Sequence, residues 1–367
     1  MQFSKEEVAQ YIAEEDVKFI RLAFCDLYGN QKNLSVMPYG IPSILERGIT
    51  TDSGQLPGFV PNSPMVLLPD PATLTVLPWR PEHGRVVRMF CSLANESGEI
   101  LPADLRSRLK QTAEKAAQAG YTFTFAVRSK FYLYKTDETG EATHEPYDRA
   151  GYMDIAPLDK GENVRREICL TLEQMGIQPE GSHHESEPGQ NEIDFAPADP
   201  LKAADDAVTF CSVVHTLAAR NGLAADFSGD FGGNAADNRA QVRFRVTDAA
   251  GKDRTEEIFA RVAGFLPEMA VFFSAGEKSF RRLFSESAVA PSGFCSNAKG
   301  ELTARVNCDP RCNPYLLILL ILQAALRPEG QKTADFPKDY DEACRLSDSG
   351  RLVSEVLGNL SGLLESR

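Results

Sequence analysis

The chain lacks any apolar run long enough to cross a bilayer. Its longest, Leu316 to Leu326, is broken by Gln323, whereas a spanning helix needs about 20 apolar residues, so no membrane partner is expected. Positive charge is in deficit: 39 Lys and Arg stand against 52 Asp and Glu, a net charge of −13. That excludes the broad basic surface that nucleic acid requires. Met1 to Val17 is polar and acidic and is read as no signal peptide, so the expected location is the cytoplasm. The eight cysteines have no metal-ligand spacing. Cys308 and Cys312 form the closest pair, and others, such as Cys25, Cys91 and Cys211, sit in apolar segments. Buried free thiols are expected rather than a zinc site. No internal repeat or low-complexity segment is present. What is present, in 367 residues with 43% apolar content, suffices for a large core, in two domains or one large one.

Against this background one stretch is unusual. Ser182 to Asp194, SHHESEPGQNEID, packs two imidazoles and four carboxylates into thirteen residues. Its flanks, Ile177 on one side and Ile193 and Phe195 on the other, read as buried positions. Polar groups beside a core need partners. Glu and His are also the ligands that hard and borderline metal ions take.

Along the chain, a short helix is expected over residues 5–13. A hairpin follows, VKFIRLAFCDL at 17–27 turning at Tyr28-Gly29-Asn30 into 31–36. A second helix over 41–47 precedes a Gly-bearing polar loop, TTDSGQLPGF at 50–59. Short strands are expected at 65–68, 73–77 and 85–92. A boundary falls near 98–104, where Asp104 caps a helix over 104–118. YTFTFAVRSKFYLY at 121–134 alternates strongly. Phe123, Phe125, Val127, Phe131 and Leu133 share one face; Ala126, Arg128, Lys130 and Tyr132 share the other, so Arg128 and Lys130 project together. A polar loop at 136–152, helices at 164–175, 201–221, 254–272 and 313–326, and a strand at 241–246 complete an α+β pattern.

Several spaced segments in order carry a family resemblance. IRLAFCDLYGNQKN, TTDSGQLPGF, LLPDPATLTVLPWRP at 67–81, HHESEPGQNEIDF at 183–195 and DPRCNPYL at 309–316 resemble the glutamine synthetase family of the bacterial and archaeal type, over nearly the whole length. The resemblance implies a small N-terminal β-grasp domain (1–100). A larger catalytic-like domain (101–367), with a curved antiparallel sheet flanked by helices and a shortened C-terminal region, follows it. It implies ring-shaped homo-oligomers in which the small domain of one subunit closes the funnel of its neighbour. It also implies ATP-dependent joining of glutamate and ammonia, with two or three divalent ions held by Glu and one His. Carried over by position, Glu185 and Glu192 match metal ligands. Asp52 matches the aspartate that handles ammonium. Arg282 matches an arginine for the glutamate carboxylate, and Asn234 and His183 belong to the substrate pocket.

The sequence departs from the family at the chemistry. Where the family has Glu-x-Glu, this chain has Arg128-Ser129-Lys130. Its metal-binding His becomes Arg239, and the gapless match puts Ala304 at the last ligand Glu, while a one-residue shift brings Arg305 there. Arginine does not deprotonate to bind a metal. Two like charges about 4 Å apart repel by about 4 kcal/mol at an effective dielectric of 20. Arg128, Lys130 and Arg239 are therefore read as cations that replace metals and neutralise Glu185 and Glu192. The expectation is a family homologue impaired in glutamine synthesis, serving as a binding, regulatory or structural member. The alternative is an active ATP-dependent ligase for glutamate and ammonia, or for a γ-glutamyl amine. No cofactor is firmly expected; ATP and Mg2+ or Mn2+ enter only if the family chemistry survives. Glutamate, a nucleotide or another small anion is the candidate ligand.

Overall fold

A computed structural model describes residues 3–59, 63–80, 82–228, 238–285, 289–297, 299–327 and 335–365. It divides into two compact units, Met1–Arg108 with Gln174–Gly176, and Leu109–Glu173 with Ile177–Arg367.

The first unit is a six-stranded sheet with two helices. Helix α1 (Lys5–Glu14) starts at a capping box in which Ser4 and Glu7 satisfy each other's backbone N–H groups. Strands β1 (Val17–Cys25) and β2 (Gln31–Val36) form the expected hairpin. Asp26 closes its turn by accepting from the backbone N–H groups of Tyr28 and Asn30, and Gly29 takes the positive φ. Helix α2 (Ile41–Arg47), β3 (Ile49–Asp52), β4 (Pro64–Pro69), β5 (Thr75–Val76) and β6 (Arg85–Ala94) complete the order β2-β1-β6-β4-β3, with β5 on β6. Ile20, Leu22, Met65, Leu67, Val87 and Met89 form the centre of its core, covered by Val8 and Ile12 of α1. The strand expected over 73–77 shrinks to two residues. Asp70 caps a one-turn helix, Pro71–Thr73, and the Thr73 hydroxyl donates to the Asp70 carbonyl.

Helix α3 (Leu105–Gln118) opens at Asp104, whose Oδ1 accepts from the Ser107 N–H at 3.0 Å. The second unit is then built on β7 (Tyr121–Thr136), which carries different partners along its sixteen residues. The remaining strands are β8 (Ala142–Pro146), β9 (Pro179–His184), β10 (Gln190–Phe195), β11 (Leu223–Asp226), β12 (Ala240–Asp248), β13 (Ser292–Ser296) and β14 (Leu302–Cys308). All pairings are antiparallel, in the order β13-β14-β12-β7-β10-β9, with β8 and β11 on the far end of β7. The segment expected as a polar loop at 136–152 therefore holds a strand. Asp137 turns the chain through Gly140 and returns it along β7.

Helices α4 (Glu162–Gln174), α5 (Pro200–Arg220), α6 (Thr255–Met269), α7 (Glu277–Phe280) and α8 (Pro314–Ala325) precede three short ones, α9 (Tyr340–Ser349), α10 (Arg351–Leu357) and α11 (Leu360–Glu365). The apolar face of β7 is core: Phe125 packs on Phe244 at 5.5 Å between ring centres and Phe131 on Phe210 of α5 at 5.9 Å. Helix α8 is buried almost throughout, which explains why Gln323 alone interrupts its apolar surface. Among the described residues no helix is long and apolar enough to cross a membrane. All eight cysteines are free thiols, and Cys91, Cys308 and Cys312 are buried.

Candidate functional site

The polar face of β7 meets the β9–β10 hairpin. In the β register Lys130 lies opposite Glu192, and Glu192 lies opposite His183, so one row crosses three strands on one face. The hairpin between them is tight. Glu185 N–H donates to the Gln190 carbonyl at 2.8 Å, and Gln190 N–H donates to that of Glu187 at 3.0 Å. Gly189 has φ +68°, and a Cβ there would stand 2.7 Å from the Leu133 carbonyl oxygen, so only glycine fits the approach to β7.

The charges pair diagonally across this row. Lys130 Nζ lies 3.1 Å from Glu185 Oε2, and Arg128 Nη2 lies 2.7 Å from Glu192 Oε1. Arg128 also pairs with Asp194, two residues on along β10 and on the same face. His183 Nε2 is 3.0 Å from Glu185 Oε1, and its ring meets Tyr152 edge-on at 5.5 Å. Glu185 and Glu192 are buried. Burial pushes the Glu185 carboxyl up, but the charge and hydrogen bond of Lys130, helped by His183, hold it below the usual carboxylate range. Burial lowers the Arg128 guanidinium; Glu192 opposes that and Arg243 adds to it.

Beneath this row His184 is fully buried. Its Nε2 faces Asp148 Oδ1 at 2.8 Å, and its Nδ1 faces the Glu185 carbonyl at 2.6 Å. Both neighbours are acceptors; burial would lower the ring's pKa, but the hydrogen bond and charge of Asp148 raise it, which favours the protonated form. Asp148 also accepts from the backbone N–H groups of Lys160 and Gly189, and its pKa falls to about 2 despite burial, chiefly through the His184 hydrogen bond.

A cavity of about 350 Å³ opens over the row, lined among others by Arg128, Lys130, His183, Glu185, Glu192 and Arg239. A second cavity of about 370 Å³ shares Arg128 and Arg243 with it. His183, Glu185 and Glu192 each offer one atom within 4.8 Å of the others, a three-donor set that could hold one ion. Yet Lys130 and Arg128 already occupy the two carboxylates. Asp194 is a further carboxylate on this face, and Arg128 already pairs with it. The residues of β14 that share the face of Gln241 and Arg243 are Thr303, Arg305 and Asn307. Ala304, expected at the last ligand position, pairs with Phe244 and is fully buried in the core. The register puts Arg305, the alternative one residue on, on the site face instead. The donors present do not fit a two-metal centre.

Asp52 ends β3 in the first unit, exposed, with its Oδ1 accepting from the Gly54 N–H at 2.9 Å. Arg282 is buried in a bracket: Nη2 donates to Asp309 Oδ2 and Nη1 to the Ser228 carbonyl, both at 2.6 Å, and it does not line either cavity. Asn234 lies outside the described residues. Arg239 is half-buried at the cavity wall.

Sequence comparison fits this architecture. The description "glutamine synthetase, beta-Grasp domain" matches residues 16–96, and "glutamine synthetase, catalytic domain" matches residues 102–235. A glutamine synthetase of Clostridium saccharobutylicum is 35% identical over 351 residues, covering 88% of this chain and 79% of that protein. The chain belongs to the glutamine synthetase family. A second relative, the glutamine synthetase of Staphylococcus aureus (strain Mu50), is 34% identical over 389 residues, covering 94% of this chain and 86% of that protein. Solved structures agree on the fold. A GmaS with ADP superposes with a TM-score of 0.81 at 22% identity, over 97% of this chain and 93% of that one. The Plasmodium falciparum glutamine synthetase superposes with 0.80 at 15% identity, over 98% and 95%. The first unit is thus the family's β-grasp domain, followed by the catalytic domain with its curved sheet.

Three site-facing residues escaped the sequence reading. Asp194 stands two residues after Glu192 on one strand, a period-2 signal. Arg243 alternates with Val242 and Phe244 in QVRFRV, which marks it for the polar face. Asp148 had no local signal; only the tertiary fold brings it to His184, 36 residues on.

Proposed function

We infer that this glutamine synthetase family member does not make glutamine by the metal-dependent route, and serves as a binding or regulatory member of the family. The observation that carries the reading is the double ion pair, Lys130 on Glu185 and Arg128 on Glu192. A divalent ion taking both carboxylates must strip each from its cation. It then sits beside two positive groups that are largely buried, each repelled by several kcal/mol, on the order of 4 at 4 Å and a dielectric of 20. Arg128 has no neutral form to retreat to. Under this reading Lys130, Arg128 and Arg239 stand where the family holds metals, and Arg282 brackets Asp309 rather than a substrate carboxylate. Eight free thiols suit a reducing compartment, the cytoplasm, and the shared fold suits a homo-oligomer.

The second reading, an ATP-dependent ligase for glutamate with ammonia or another amine, draws on the His183–Glu185–Glu192 donor set, which could hold one ion. The relatives named as glutamine synthetases and the fold shared with an ADP-bound GmaS point the same way. The assay that decides is direct. Purified protein is incubated with ATP, glutamate and either ammonium or methylamine, in Mg2+ or Mn2+, and ADP and the amide product are measured. No product above the no-enzyme control is expected; sustained turnover at a rate ordinary for enzymes, about 1 s⁻¹ or more, establishes the ligase instead.

A further inference from the structure

The β-grasp domain carries positive charge that it does not neutralise, on a chain of net charge −13. Strand β1 turns Ile20, Leu22 and Phe24 to the core, so Phe19, Arg21 and Ala23 share the outer face. In register, Ser35 of β2, Arg21 of β1 and Arg88 of β6 form one row across that face. Neighbouring strands lie about 4.8 Å apart, so the two arginines rise side by side. Arg88 is buried over the Phe90 ring, 4.2 Å from its centre, and Arg21 is half-buried beside it. Burial and the charge of Arg80 both push the Arg21 guanidinium down, and among the described residues no carboxylate offsets them. Neither Arg21 nor Arg80 forms an ion pair with a described residue. The acids of the flanking segments are engaged elsewhere: Asp16 with Lys18, Asp26 with Lys32 and Asp70 with Arg106.

Beside this row the sheet ends. Among the described residues only β1 pairs with β2. Every second residue of such an edge strand directs its N–H and C=O groups outward, a template for a further strand. On the outer face of β2, Asn33 and Ser35 are short and exposed, so the Arg21 side chain can reach over them toward the edge. One step beyond the Ile20–Val36 pair, Phe19 and Met37 are 47 and 44% exposed, and Tyr39 is 90% exposed. Exposed aromatic and Met side chains beside arginines are the composition of a protein-binding surface.

We propose that the β2 edge of the β-grasp domain takes an extended acidic segment of a partner protein as an added strand. Main-chain hydrogen bonds to β2 supply the affinity, and side chains on one face supply the selection. Carboxylates of the segment meet Arg21 and Arg80 in charge-assisted hydrogen bonds, the stronger kind, and an apolar residue meets Phe19 and Met37. A second copy of this chain fits less well. A two-fold β2–β2 pair presents the same patch on both sides, so it sets Arg21 and Arg80 against their own copies. The surface lies in the β-grasp domain and stands whether or not the catalytic domain turns over.

The probe is a fluorescent peptide of alternating Glu and Val, long enough to span β2. A Gln-Val peptide and an N-methylated Glu-Val peptide serve as controls. Anisotropy with the full chain reads binding, and hydrogen exchange locates it. The acidic peptide is expected to bind at low salt, to weaken as salt screens the charges, and to slow exchange over residues 31–36. Arg21→Gln and Arg80→Gln are each expected to weaken it about ten-fold, the loss of one charge-assisted contact. Arg80 is exposed, so its variant carries the comparison if Arg21→Gln does not fold. Both control peptides are expected to bind at least about ten-fold more weakly, one for want of charge and the other for want of N–H donors. No binding of the acidic peptide overturns the proposal. So does equal binding of either control, undiminished binding by the variants, or protection confined to the catalytic domain. A native chain that ignores the peptide but changes its sedimentation with Arg21→Gln gives the edge to a second copy and overturns it too.

Discussion

At the scale of single residues, Lys130 decides how the Glu185 carboxylate is satisfied. Replacing it with Met keeps the volume and removes the charge, leaving Glu185 with His183 and the more distant Ser186 hydroxyl as side-chain partners. Breaking a buried pair from one side costs about 3–5 kcal/mol, and the surviving His183 contact puts the expected loss at about 3. Urea denaturation at neutral pH reads it; a loss below about 1 kcal/mol shows the pair to be worth no more than a surface one. The Glu185 carboxyl lies below its usual value in the folded chain. Its contribution is therefore complete above the unfolded pKa, about 4.3, and fades as pH falls through the lower folded value. Lys130→Glu makes the opposite test. It adds a fourth donor beside His183, Glu185 and Glu192, and Mn2+ binding by calorimetry is expected to tighten at least about ten-fold over the native chain. Unchanged Mn2+ affinity would show that Lys130 is not what keeps a cation out. Much of this was legible beforehand. Period-2 alternation alone put Arg128 and Lys130 on one face, and the HHE segment announced the acids. The diagonal pairing was not, because it depends on how β10 slides against β7.

At the scale of elements, the β9–β10 hairpin is held by two devices. His184 clamps it from below, and burial would lower the His184 pKa, but Asp148 raises it above its usual value. For a raised folded-state pKa the stabilisation is full below the unfolded value, about 6.5, and is lost as pH rises through the folded one. Native stability is expected to decline on the alkaline side of about pH 7, and His184→Gln to flatten that decline while lowering stability near pH 6. Equilibrium unfolding followed from about pH 6 to 9 measures both curves, and parallel slopes would refute the clamp. The second device is Gly189. Alanine there meets the Leu133 carbonyl at 2.7 Å with φ at +68°. Left-handed backbone costs about 1–2 kcal/mol and the overlap adds to it, so Gly189→Ala is expected to lose about 2 kcal/mol or more. A neutral result would mean the hairpin relaxes away from β7. Sequence pattern missed β8, because ATHEP is polar enough to pass for a loop and gains its order only from pairing with β7.

At the scale of the molecule, the spaced motifs made the fold readable. Segments such as LLPDPATLTVLPWRP and DPRCNPYL specify turns, caps and core, which any member of the fold must keep. Asp309 and Asn313 show this. One anchors Arg282 and Ser279, and the other caps α8, so the DPRCNPYL segment has a structural role in this chain. One feature of the surface bears on assembly. Tyr152, Met153, Ile155 and Leu158 are 58, 59, 77 and 61% exposed within seven residues. The loop presenting them is tied down: Met153 N–H donates to the His184 carbonyl at 2.9 Å, and Gly151 N–H donates to Asp154 at 2.8 Å. A fixed cluster of large apolar side chains marks a contact surface, and on a chain of net charge −13 close self-association must gain enough from such burial to overcome mutual repulsion. The expected outcome in analytical ultracentrifugation is a homo-oligomer of the 40.3 kDa chain that persists in high salt, where repulsion is screened. Ile155→Asp places a charge at the most exposed of the four and is expected to shift the distribution toward the single chain without altering the circular dichroism spectrum. A native chain that sediments as a monomer at all salt concentrations would leave this cluster without a self-contact.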